Sequence, residues 1–114
     1  MCIRDRSTAK TALDIAADAR HLQLMLADLL AMRSGASSFL QGADRLLFLR
    51  DCLTRVDDSW DERFTAQVAT IESIGLASAE QRVQLGDKYA ALVASTLDSI
   101  EGLIVRQLEE AAHG

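Results

Sequence analysis

The chain contains no proline, aromatic residues make up only 4% of it, and lysine occurs only at Lys10 and Lys88. With no proline to remove a backbone donor or clash with the preceding turn, nothing in the sequence forbids long helices. The ten arginines are scattered among acidic neighbours and the net charge is −5. That excludes the clustered basic face needed to neutralise phosphates, and with it a nucleic-acid partner. Long apolar runs are missing too. Asp, Arg, Gln or Glu interrupts each one well before the roughly 20 residues of a membrane helix, so no membrane segment is expected. Also absent are a Gly-rich phosphate loop, a Ser or Cys nucleophile signature and zinc-type Cys/His spacing, which argues against an enzyme and against a cofactor.

The opening Met1-Cys2-Ile3-Arg4-Asp5-Arg6 reads as translated laboratory DNA, because a frame of the transposon end used in sequencing libraries encodes the same run. Residues 1–6 are therefore expected to be non-native. Residues 7–114 are expected to form one helical domain, the C-terminal fragment of a longer bacterial protein met as a metagenomic fragment. On that reading Cys52 is the single native thiol, and an isolated cysteine in an apolar helical stretch is expected to be a small core residue. A start of this kind gives no testimony about targeting signals, so a cytoplasmic location is only the default expectation.

What is present is helix-forming. Hydrophobic residues make up 49% of the chain, enough to bury a sizeable core, and Ala, Leu, Gln, Glu and Arg are abundant. Two breaks stand out. In Ser34-Gly35-Ala36-Ser37-Ser38, Gly35 can take a left-handed cap and Ser37 or Ser38 can start the next helix. In the second, Gly75 can end a helix and Ser78 with Gln81 forms a capping box. Three amphipathic patterns result, about Thr8 to Arg33, Ser38 to Ile74 and Ala79 to Ala112.

The middle pattern holds one apolar face through Leu46, Leu49, Leu53, Val56, Trp60, Phe64, Ile71 and Ile74, which predicts one unbroken helix with Trp60 and Phe64 as core anchors. Ser59-Trp60-Asp61-Glu62 is a competing start signal. The third pattern carries Leu85, Tyr89, Leu92, Thr96, Ile100 and Leu103, widened by Val93, Leu97, Ile104 and Leu108 and weakened by Gly86 and Gly102.

The first pattern is two-faced. Ile15, Ala19, Leu22, Leu26 and Leu29 form one stripe, whereas Leu13, Ala17, Leu24 and Ala31 form a second. Leu40, Leu47 and Phe48 make the same point in the next helix. Apolar stripes of that length seldom stay in water, so these seven residues form the expected interaction face, with a partner helix or a second copy of the chain against it. The fold expected is all-α, an antiparallel up-down-up bundle of three long helices completed by a missing fourth helix or by self-association in coiled-coil fashion.

Asp14, Asp18 and His21 are the one metal-like constellation, at i, i+4 and i+7 of the first helix. Helical di-iron sites need Glu-x-x-His pairs from two helices, and Asp18-x-x-His21 is a single, shorter-armed instance. A solvated flank is the plainer reading, and no metal is expected. The acidic run Asp57, Asp58, Asp61 and Glu62 lies beside Arg55 and Arg63 and reads as surface rather than as an acid–base pair. The function expected is a non-catalytic helical interaction or oligomerisation module. The alternative is a ligand-sensing or metal-binding four-helix bundle whose remaining ligands lay upstream.

Overall fold

At Gly35 the backbone turns through φ 82, a conformation that costs glycine little, and the Ser37 and Gly35 amides close onto the Ala31 and Met32 carbonyls. The Ser38 hydroxyl then accepts from the Gln41 amide at 3.1 Å and starts a new helix. This first break lies where the sequence puts it. The computed structural model describes residues 12–54 and 56–113, with side-chain surroundings between 14 and 110; residues 1–6, Thr8, Lys10 and Arg55, named above, lie outside the described residues.

The described residues form five helices and no strand: α1 (Ala12–Ser34), α2 (Phe39–Asp51), α3 (Asp58–Leu76), α4 (Ala79–Leu85) and α5 (Asp87–His113). The all-α class stands, and the three-helix count does not. The expected unbroken middle helix is two helices that pack against each other, with a reversal at Cys52 to Asp57. The Cys52 and Leu53 amides tighten onto the Leu49 and Arg50 carbonyls. The next amide, of Thr54, donates to the Asp18 carboxylate of α1 at 2.8 Å instead of continuing the helix. Asp57 is the N-cap of α3, and Asp58 and Asp61 occupy its first turn, where carboxylates meet the positive end of the helix dipole. The acidic run thus belongs to a helix start, two residues before the Ser59 cap of the competing signal.

The third pattern is also divided. Ser78 and Gln81 form the full capping box that opens α4. Gly86 ends it at φ 52 and ψ −126, where a side chain would be strained, and α5 begins at the next residue.

Each of the four longer helices packs against two of the other three. α1 lies on α2 and α5, and α3 lies on the same two. Contacts such as Asp18 with Thr54 and Trp60 with Leu103 show the neighbours running antiparallel. α2 thus supplies the fourth long helix of this ring from within the chain.

The core is the closed interior of this ring. α1 contributes Leu22, Met25, Leu29 and Met32, α2 contributes Ala43, Leu46 and Leu49, α3 contributes Trp60, Phe64, Val68, Ile71 and Ile74, and α5 contributes Leu97, Ile100 and Ile104. The spacing of three and four in each set is the stripe of a helix with one side in a core. Gly42 lets α1 and α2 approach closely, because a Cβ there would collide with Met32 Sδ. The Trp60 indole stacks on Phe64 with ring centres 4.8 Å apart, and its Nε1 donates to the Leu103 carbonyl at 2.8 Å. Its burial, foreseen as a mark of the unbroken helix, holds equally well for a helix starting two residues earlier. α4 alone buries nothing and touches only α5.

Candidate functional site

The stripe of α1 that faces α2 is not purely apolar. Asp18 and Asp28 are buried on it among Leu22, Met25, Leu29 and Met32, and His21 is half-buried one turn after Asp18. Charges survive in such a place only when paired or hydrogen-bonded. Asp18 is: its two oxygens accept from the amide and the hydroxyl of Thr54, both at 2.8 Å. The carboxylate thereby pins the α2–α3 reversal onto α1. His21 Nδ1 is buried with no hydrogen-bond partner.

Asp28 differs from Asp18. Its side chain is 2% exposed, Oδ1 is 3.4 Å from Nε of Arg45, and Oδ2 is buried with no hydrogen bond. Burial pushes the carboxyl up to about 6, with the Arg45 guanidinium pulling the other way. Arg45 itself is two-thirds exposed, so it compensates the charge from the edge rather than enclosing it.

Asp28 lies in the floor of a groove of about 590 Å³ between the outer flanks of α1 and α2. One wall is apolar, made by Leu24, Ala27 and Ala31 of α1; the other is polar, made by Gln41, Asp44 and Arg45 of α2; Ala36 and Ser37 of the connecting turn close one end. Phe48 follows Gln41 and Arg45 at i+7 and i+3, which puts it on the same outward side of α2, and it is 65% exposed.

The expected interaction face is thus divided by α2. Leu24 is exposed and Ala17 and Ala31 are half-buried on the outer flank of α1. Leu40 and Leu47 fall on the opposite flank of α2, Leu47 packed on the core and Leu40 over Gly75 of α3. Leu13 falls among residues whose side chains are not described.

Of the metal-like trio, Asp18 is engaged with Thr54, and among the described residues no group of three or more metal-ligating side chains is gathered. Cys52 is buried at the end of α2, in the packing role expected of it. The acidic residues Asp51 and Asp61 meet Arg50, which also donates to Thr65 Oγ1 at 2.7 Å and so ties α2 to α3.

Asp28 escaped the sequence reading. The signal was available, since Asp28 follows His21 by seven positions and interrupts the stripe between Met25 and Met32.

Elsewhere the surface offers less. A polar cleft of about 150 Å³ beside Trp60 is lined by charges of both signs, Asp57, Arg63, Arg106 and Glu110 among them. No helix among the described residues is long and apolar enough to cross a membrane. Comparison with known proteins gives no match, whether to a family model, a curated protein or a solved structure.

Proposed function

We propose that the chain is a non-catalytic helical interaction module and that the outer α1–α2 groove is its docking face. The observation that carries this reading is the open apolar wall at Leu24, together with the exposed Phe48 one turn beyond Arg45 on the outward side of α2, in a fold whose interior stripes are already covered. A partner helix laid along α1 and α2 would bury both side chains as a knob-and-hole seam does, each worth about 1.5–3 kcal/mol when fully removed from water.

The alternative, a ligand-sensing or metal-binding bundle, has less behind it: Asp18 already accepts two hydrogen bonds, and the convergent polar groups open onto a groove rather than an enclosed chamber.

Leu24→Glu combined with Phe48→Glu tests the docking face. The unaltered chain is expected to bind an apolar-surface dye or to associate with rising concentration in sedimentation, and the double variant is expected to lose that behaviour while keeping its helical content. A chain that stays monomeric and dye-free at every concentration would refute the reading.

A further inference from the structure

We propose that the α1–α2 groove takes a partner helix that brings one cationic side chain, a lysine ammonium or an arginine guanidinium, to Asp28. The inference rests on the docking reading above and adds the chemistry of the partner. Three charged side chains line the groove, Asp28, Asp44 and Arg45, so it presents two carboxylates to one cation. Arg45 meets only Oδ1 of Asp28, at 3.4 Å, and Oδ2 is left buried without a donor.

A buried carboxylate oxygen with no donor costs free energy that an incoming N–H removes, and charge-assisted hydrogen bonds are the strong ones. The groove also matches the shape of a long cationic side chain. Its methylene stem can lie along Leu24, Ala27 and Ala31 while its head reaches Asp28 and Asp44, as the exposed head of Arg45 swings toward solvent. A purely aliphatic partner would cover Leu24 and seal an unsatisfied carboxylate beneath it, which is the arrangement that buried interfaces avoid.

The probes are n-butylammonium and n-butanol, equal in length and different in charge. They are added to the isotope-labelled full chain at pH 7.5, where Asp28 is ionised, and followed by NMR at the Leu24 and Ala31 methyls and the Asp28 carboxyl. Butylammonium is expected to move the methyl signals with an apparent Kd at least about five-fold below that of butanol, as a charge-assisted contact allows. It is also expected to lower the Asp28 titration midpoint from about 6, because a ligand that prefers the carboxylate draws the proton off.

In Asp28→Asn the preference is expected to fall to about one-fold, while Leu24→Ser weakens contact of the butyl stem in both probes. Equal binding of the two probes with an unmoved Asp28 midpoint overturns the cationic partner and leaves the groove as an apolar docking face. Failure of both probes to move the groove signals overturns the docking reading as well. Signals that move with protein concentration alone assign the groove to a second copy of the chain and overturn the partner proposed here.

Discussion

The seam between α3 and α5 and the seam between α1 and α2 are built from the same kind of helix and filled differently. In the first, Trp60, Phe64, Val68, Ile71 and Ile74 meet Leu97, Ile100 and Ile104, and the indole N–H finds the Leu103 carbonyl. In the second, Leu22, Met25, Leu29 and Met32 share their stripe with Asp18 and Asp28, and one oxygen of Asp28 stays without a donor. A seam that is apolar and satisfied supplies stability and asks for nothing more. A seam that keeps a half-compensated charge gives up stability, and such local conflicts concentrate where a protein meets something else.

The largest effect should come from the apolar seam. Phe64 is fully buried and stacked on Trp60, so Phe64→Ala is expected to cost about 3–5 kcal/mol, read from chemical denaturation followed by circular dichroism. A loss below about 1 kcal/mol would mean that the two seams do not differ as described.

Next is Asp18→Ala, which leaves the Thr54 amide and hydroxyl without their acceptor. It is expected to cost about 1–3 kcal/mol and to speed hydrogen exchange at the α2–α3 reversal before the rest of the chain. Unchanged exchange at Thr54 would show that Asp18 does not hold the reversal.

Asp28→Asn should act with the opposite sign. The native carboxyl titrates near 6 and the unfolded one near 3.8, so the folded state holds the proton more tightly between those values. Unfolding free energy contributed by this group is therefore fully present below about pH 3.8 and is lost as pH rises through about 6. Removing the charge is expected to stabilise the chain by about 1–2 kcal/mol at pH 7.5 and to leave it nearly unchanged at pH 3.5. Destabilisation at pH 7.5 would show that Arg45 compensates Asp28 fully and that the two seams are equally satisfied.

The smallest effect belongs outside both seams. Arg33 bridges α1 to α5 through Asp98 at 3.0 Å and Glu101 at 2.8 Å, but those carboxylates are well exposed. Arg33→Ala is expected to cost no more than about 1 kcal/mol, and less in high salt.

The legibility of these features in the sequence follows the range of the interactions that make them. The starts at Ser38 and Ser78 were readable because each serine caps an amide three residues away. The α2–α3 reversal was not, because the acceptor that draws the Thr54 amide out of the helix is Asp18, thirty-six positions earlier. The apolar stripe added to the error, since α2 and α3 both turn their stripes to one core and keep phase across the break. Similarly, exposure of Leu24 and Phe48 could be foreseen from helical spacing alone, whereas the missing donor of Asp28 depends on how far Arg45 reaches from the neighbouring helix.

The chain holds a single tryptophan, Trp60, packed on Phe64 and hydrogen-bonded across to α5. Its fluorescence is consequently an intrinsic optical gauge of one seam. Emission will shift to the red and lose the imprint of the stacked ring when α3 parts from α5, reporting global melting without any label. Trp60 does not line the α1–α2 groove, so the same signal should stay silent when that groove fills. An unchanged emission spectrum on addition of a ligand is thus the expected companion of groove occupancy, and an extrinsic dye at the Phe48 position would be needed to see what the native indole cannot.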